Sequence, residues 1–355
     1  MARARPRGLV RWVAAAAVAV VLAAVLALIL GNLPQSAATS KTTLPATSAS
    51  QTTTTATTPT STTSVAATSS AKCSGDVLGY IAPTLIKITR DAARQAGPST
   101  GAIQSIGSVE GLRRMQQGAV PDIYGSVDVE LLPDVEKLKP RQIFVLGGFG
   151  LGVVCRKPLN SPGDLAARTL VLADPNKAPI GYRALAAAWM LKKDGVIDVM
   201  ILFEKTGVKY VETPRGVNIT IPTTLTPTEK VQIAANLDAS WSVLESGAAD
   251  CAFAYFPFVT AKLSQLEKIG ETDLWTIYKG AKEGREYYAY FFKGPYSFTQ
   301  DPPYEIYALF MQGDKVAKAL RVGRFAAFVA SFSEKGDCVV DALKKMDLAA
   351  YGFIR

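Results

Sequence analysis

Residues 76–124 read DVLGYIAPTLIKITRDAARQAGPSTGAIQSIGSVEGLRRMQQGAVPDIY, and the order of periods in this stretch decides the fold class. Residues 76–81 have strand character. From Thr84 to Arg94 the apolar positions recur at helical spacing, Thr84 stands at the N-cap position, and Gly97-Pro98 ends the run. Residues 102–106 form a second short strand, Ser108 caps a second helix that reaches Met115, and residues 122–124 form a third strand. Strand, helix, strand, helix, strand in this order predicts a parallel α/β sheet.

Toward the C-terminus, residues 142–157 read as one long β run interrupted by glycines. Gly147-Gly-Phe-Gly-Leu-Gly152 is no phosphate loop: it lacks the GxGxxG register, a following Lys-Ser/Thr and a helix behind it. Glycines within a strand mark a bend or a close approach, which suits a chain crossing between two lobes. Residues 169–173 form a strand, 174–181 a turn-rich loop and 182–193 a helix. Strands are predicted at 208–211, 217–221 and 251–256, a helix end at 240–245, and helix again at 259–266. A strand pair at 275–278 and 287–292, a long helix over 316–333 and a short one over 339–345 complete the reading. Helix starts at Thr84, at Ser108 and after Pro179 could each offer backbone N–H groups to an anion.

Toward the N-terminus the material changes twice. Residues 13–30 read VAAAAVAVVLAAVLALIL, and with Leu9, Val10 and Trp12 they reach the ~20 residues that a helix needs to cross a bilayer. Arg3, Arg5, Arg7 and Arg11 all precede this run, so the positive-inside rule places everything after Gly31 outside the cell. A retained signal anchor over 1–35 is the reading taken; a signal peptide cleaved near Gln35-Ser36-Ala37 is the other, and both export the body. Of residues 36–70, 22 are Ser or Thr. Such a segment cannot bury enough surface to offset its ordering entropy, and reads as a disordered stalk over 36–72 open to O-glycosylation.

Composition excludes several chemistries. The 355 residues contain no His, which removes the Ser-His-Asp triad, the Cys-His pair, the HExxH zinc site and an imidazole base. Four scattered Cys without a CxxC give no zinc-ribbon or iron–sulfur spacing. Outside the membrane they can form two disulfides in three connectivities. Cys73 opens the body and Cys338 nearly closes it, while Cys155 and Cys251 lie in apolar strand-like runs. The expected pairs are Cys73–Cys338 and Cys155–Cys251, with buried free thiols as the alternative. Five cations and no acid lie in residues 1–71, which leaves 34 basic against 30 acidic residues, or +4, beyond them. That balance suits an anionic ligand and is far from the dense basic face of a nucleic-acid binder.

An ordered set of segments resembles the solute-binding proteins of molybdate and tungstate ABC importers, especially the archaeal type. Gly79-Tyr-Ile-Ala-Pro-Thr-Leu85 is similar to the family's first loop, where a Ser usually precedes the Leu. Gly107-Ser108-Val, with Pro121-Asp-Ile-Tyr-Gly-Ser-Val-Asp128 after it, is similar to the second. Ala173-Asp-Pro-Asn-Lys-Ala-Pro-Ile-Gly-Tyr-Arg183 resembles the most specific motif, and Leu244-Glu-Ser-Gly-Ala-Ala-Asp250 leading to Ala254-Tyr255 resembles the fourth. The resemblance spans Asp76 to the C-terminus.

It implies an α/β, two-lobed periplasmic-binding-protein-like (type II) Venus flytrap, with lobe I at 73–150 and 257–355 and lobe II at 151–256. It further implies a monomeric extracytoplasmic receptor that captures molybdate or tungstate and docks on an ABC permease driven by an ATPase, with no nucleic acid, no enzymatic activity and no cofactor. Carried over residue by residue, Thr84 and Ser108 would donate hydroxyl and backbone hydrogens to the oxyanion. Ala178 would give its backbone N–H, Pro179 and Gly181 would shape the turn, and Tyr255 would donate its phenol O–H. Glu245 would ligate the Mo or W centre, a contact that sulfate cannot accept. The archaeal loop carries a second acid where this chain has Ala178. Glu245 therefore binds alone, or the anion stays tetrahedral, or the specificity has drifted. The rival readings are a receptor for another oxyanion such as sulfate, a cell-surface glycan-active enzyme built on Asp122, Asp128, Asp174 and Glu245, and a structural surface protein.

Overall fold

The computed structural model describes residues 73–354. The expected anchor helix and the Ser/Thr-rich stalk lie outside these residues. Among the described residues no helix is long and apolar enough to cross a membrane.

The strands are β1 (Gly79–Ile81), β2 (Ile103–Ser105), β3 (Ile123–Ser126), β4 (Gln142–Gly147), β5 (Leu151–Cys155), β6 (Leu170–Ala173), β7 (Lys209–Thr213), β8 (Gly216–Ile221), β9 (Val231–Ala234), β10 (Cys251–Tyr255), β11 (Ser264–Glu271), β12 (Trp275–Lys282), β13 (Arg285–Phe292), β14 (Glu305–Gln312), β15 (Lys315–Arg321) and β16 (Ala327–Ser331). The helices are α1 (Ile86–Ala96), α2 (Ser108–Gln116), α3 (Leu132–Glu136), α4 (Asp164–Ala167), α5 (Pro179–Lys193), α6 (Met200–Glu204), α7 (Leu237–Ser246), α8 (Phe256–Lys262) and α9 (Glu334–Leu343).

They form three sheets, ordered β2-β1-β3-β16-β4, β11-β12-β13-β5-β10-β6-β9 and β15-β14-β8-β7. In the first, β1 runs parallel to β2 and β3, as residues 76–124 predict. In the second, β10, β6 and β9 are parallel, and β5 runs antiparallel between β10 and β13. The glycine-rich 142–157 run is split between sheets, β4 at the edge of the first and β5 in the middle of the second. The chain returns to the first sheet only at β16: β11–β13 extend the second sheet, and β14–β15 join β7–β8 in the third. The lobe boundary expected at 257 therefore does not coincide with the change of sheet.

One expected helix is two strands, and another is helical only in its first half. Residues 316–333 divide into β15, an exposed edge strand that buries Leu320, and β16, buried along its whole length. A strand buried on both faces reads as an unbroken apolar run with no period to separate it from a buried helix. Residues 259–266 divide likewise between α8 and the start of β11.

Helix α5 shows the reverse case. Pro179 to Leu191 is buried throughout, as suits a helix that is apolar all round but for Arg183, whose charge is paired. Gly181 lets it sit close: a Cβ there would lie 2.2 Å from the Ala173 carbonyl oxygen.

Both disulfides form, Cys73–Cys338 and Cys155–Cys251. The second joins directly opposed residues of β5 and β10 and closes a sequence separation of 96 residues. Constraining a loop of that length in the unfolded chain sets an upper figure of about 5 kcal/mol, and disulfides typically deliver about 2–4 kcal/mol. Cys155→Ser/Cys251→Ser is therefore expected to lower the unfolding free energy by about 2–4 kcal/mol, read as a fall in urea midpoint with native circular dichroism retained before the transition.

Candidate functional site

In open parallel sheets the carboxyl ends of the strands hold ligand sites, because loops and helix N-termini converge there. Six of the seven expected site residues stand at such ends. Strand β1 runs through Ala82 into a 3-10 turn, Pro83–Leu85, that contains Thr84. Thr84 is not the expected N-cap: Leu85 holds that position before α1, without a side-chain cap. Thr84 is buried and lines a cavity of about 260 Å³ with Ile88, Pro257, Thr260, Tyr351 and Phe353. Strand β2 leads to Gly107, which is the N-cap of α2; Ser108 is the first helical residue. The Ser108 hydroxyl oxygen accepts from the Val127 N–H at 3.2 Å, and its carbonyl accepts from the Tyr124 hydroxyl at 2.7 Å. A hydroxyl that accepts from an amide keeps its own hydrogen to donate.

In the second sheet β6 leads into the loop before α5. Asp174 forms the turn: its carbonyl accepts from Lys177 and Ala178, both at 2.9 Å, and its side chain accepts from the Asn176 N–H. The Ala178 N–H, expected to face an anion, is thus used within the loop. Ala178 is the N-cap of α5 and Pro179 its first residue. Strand β10, parallel to β6, ends at Tyr255. The Tyr255 side chain is buried and its hydroxyl has no hydrogen-bond partner. Its ring packs edge-on against Phe149 and Phe325, with centroids at 5.0 and 4.6 Å. Burial above all, opposed by Arg183 and reinforced by Asp128, holds this phenol well above its ordinary pKa. Tyr255 is therefore a neutral donor at physiological pH.

The two sets of strand ends meet. Glu110 N–H donates to the Lys177 carbonyl at 3.3 Å, and a Cβ on Gly107 would lie 2.3 Å from the same oxygen. Only glycine permits that approach. Beside it lies a group the sequence reading left out of the site. Asp128, just after β3, and Arg183, in the first turns of α5, are both fully buried. Arg183 donates to the two Asp128 carboxylate oxygens at 2.9 Å each. Tyr182 donates its hydroxyl to the same carboxylate, and Glu130 N–H completes the set at 3.1 Å. The carboxylate is fully hydrogen-bonded. Burial pulls the guanidinium pKa down, but Asp128 and the neighbouring phenols outweigh it and the net shift is upward. The guanidinium lies 4.4 Å from the Phe325 ring centroid, and its Nε has no partner.

Glu245 is not brought to these residues. It lies near the C-terminal end of α7, its carboxylate paired with Lys282 and its carbonyl accepting from Arg285 at 3.0 Å. Register places Tyr255 opposite Leu151, and both Cys251 and Tyr288 opposite Cys155. Arg285 lies beyond Tyr288 on the side away from Tyr255. About seven strand residues separate the two levels, roughly 20 Å. The α7 end nearer the first sheet carries Asp238, which accepts from the Ser105 hydroxyl and pairs with Lys262 at 2.8 Å.

No protein-family model and no curated protein matches the sequence. Among solved structures, the chain is similar to the periplasmic molybdate-binding protein of Azotobacter vinelandii, at 14% identity over 79% of this chain and 99% of that one, with a TM-score of 0.45. It is similar to the sulfate-binding protein SubI of Mycobacterium tuberculosis at 14% identity, over 79% of this chain and 85% of that one, TM-score 0.45. A substrate-binding protein of an amino acid ABC transporter matches at 13% identity over 78% and 95%, TM-score 0.34.

Removing one member of a buried ion pair leaves a bare charge and costs about 3–5 kcal/mol, whereas replacing both with apolar residues can be neutral. Arg183→Met is expected to lose that much in urea unfolding, and Asp128→Leu/Arg183→Met to lose less than Arg183→Met alone.

Proposed function

We propose that the chain is an extracytoplasmic receptor that captures a small tetrahedral dianion of the molybdate–tungstate class and delivers it to an ABC permease and its ATPase. The observation that carries this reading is the Tyr255 hydroxyl, buried without a partner where the carboxyl ends of both sheets converge. An unpaired buried hydroxyl costs about 1–3 kcal/mol, and a ligand oxygen is the partner that would offset it. Ser108 has a hydrogen left to donate from the opposite sheet. The N-termini of α2 and α5 point their dipoles into the same junction.

The Asp128–Arg183 pair cancels its own charge, so the dianion would be held by neutral donors in a dry site, where each satisfied oxygen counts. The two disulfides support an oxidising, extracytoplasmic compartment. The anchor, the stalk and a monomeric receptor complete the proposal. A glycan-cleaving pair is disfavoured, because each candidate acid has other work. Asp122 accepts from Leu78 N–H, Asp174 builds a turn, Asp128 holds Arg183 and Glu245 holds Lys282.

The place of Glu245 favours a second reading of the ligand. With Glu245 paired elsewhere and the Asp128 charge cancelled by Arg183, no free carboxylate repels sulfate at the site, and sulfate joins molybdate and tungstate as a candidate. The test is calorimetric titration of the full chain with tungstate, molybdate and sulfate. Tyr255→Phe is expected to weaken binding at least about tenfold and to raise the stability of the ligand-free protein by about 1 kcal/mol. Glu245→Ala is expected to leave affinity within about twofold. Wild-type affinity in Tyr255→Phe would remove the phenol from the site and this reading with it.

A further inference from the structure

The contact between the first sheet's strand ends and those of the second is flanked by two open cavities that share Ser105. One, of about 310 Å³, is lined by Lys87, Arg90, Asp91 and Arg94 of the first helix and by Asp238 and Lys262 from the other side. The second, of about 360 Å³, is lined by Gly107, Glu110, Arg113 and Arg114 and by Lys177 across the seam.

The charges around these cavities do not balance. Asp91 pairs with both Lys87 and Arg94, and Glu110 with both Arg113 and Arg114. Asp238 and Lys262 cancel, as do Asp174 and Lys177. Among the described residues no acid pairs with Arg90, which donates to the Ile103 carbonyl at 3.2 Å and whose Nε has no partner. The seam therefore carries an excess of three positive charges, most of the +4 that the sequence holds beyond residue 71. Clustered charge of one sign beside a low-dielectric cleft focuses the field and raises the encounter rate of the opposite sign.

We infer that the two cavities form a cationic antechamber that draws a divalent oxyanion to the seam before it enters the buried centre. The inference rests on the receptor reading and adds to it the route and the kinetic basis of capture. None of the excess cations touches Tyr255 or Ser108 in the hydrogen bonds described above, so they set the rate of arrival rather than the fit of the bound ion.

The experiment is stopped-flow association of sodium tungstate with the full chain, followed by tryptophan fluorescence. The association rate constant is expected to fall about tenfold or more between ~10 and ~150 mM salt. In Arg94→Glu/Arg113→Glu it is expected to be about tenfold or more below wild type at low salt and nearly independent of salt, with the dissociation rate constant unchanged. Arg94→Gln/Arg113→Gln, a milder change, is expected to fall between the two. An association rate indifferent to salt in the wild type, or unchanged in either variant, overturns the antechamber while leaving the receptor reading in place. No binding of tungstate, molybdate or sulfate at any salt overturns the receptor reading, and the antechamber falls with it.

Discussion

The arrangement depends on one buried ion pair. Asp128 leaves the end of a first-sheet strand, Arg183 rises from the helix behind a second-sheet strand, and neither touches water. Burying both charges costs several kcal/mol per ion, and their attraction repays it only when the geometry is bidentate and every remaining lone pair is satisfied. Both conditions hold for the carboxylate, through Arg183, Tyr182 and the Glu130 N–H, and the Arg183 Nε–H alone is left without a partner. A pair this demanding tolerates little displacement. It therefore fixes the register of the two sets of strand ends, with Gly107 against Lys177 and α5 pressed on the Ala173–Pro175 backbone at Gly181.

Once the pair has neutralised itself, the donors left at the junction, the Arg183 Nε–H apart, are uncharged. Tyr255 has no partner, Ser108 has a hydrogen to give, and two helix N-termini face the same place. Such a set suits an anion that is recognised by the number and direction of its oxygens. It also explains why an unpaired phenol is kept in a core otherwise packed with Phe149, Phe298 and Phe325. Phenylalanine would pack there without leaving a donor unsatisfied, so the hydroxyl is a stability cost that, on the proposed reading, a bound oxyanion would offset. The cations stand apart from these donors, on α1 and α2, where on the proposed reading they would act over distance.

Much of the fold was legible, and the parts that were not share a cause. The first five elements follow from local period and turn residues, both disulfide pairs emerge as read, and the chain changes sheet at the glycine run. The failures lie where neighbours in space decide. Strand β16 is apolar on both faces and carries no period, so only its place between β3 and β4 makes it a strand. Ser108 sits one step inside the helix it was expected to cap, and Thr84 one step before the residue that caps its own. The Ala178 N–H is consumed by Asp174, a local turn that the Asp-Pro-Asn spacing announces. Glu245 had a helix-end position and a suggestive neighbourhood in sequence, but pairing with Lys282 becomes visible only when the β12–β13 hairpin is in place. Asp128 and Arg183 are 55 residues apart, and no spacing rule joins them. The available signal was an acid and an arginine inside two segments that must both approach the cleft.

The central claim is that an oxyanion rests between the strand ends, against Tyr255. Tungsten scatters anomalously, so diffraction from crystals of the tungstate complex locates the ion without interpretation of weak density. The account predicts one strong peak within about 4 Å of the Tyr255 hydroxyl oxygen, the reach of a hydrogen bond plus a tungsten–oxygen bond, with Ser108 on its other side. A peak beside Glu245 and Lys282, or none at the junction while tungstate is bound elsewhere, would contradict it.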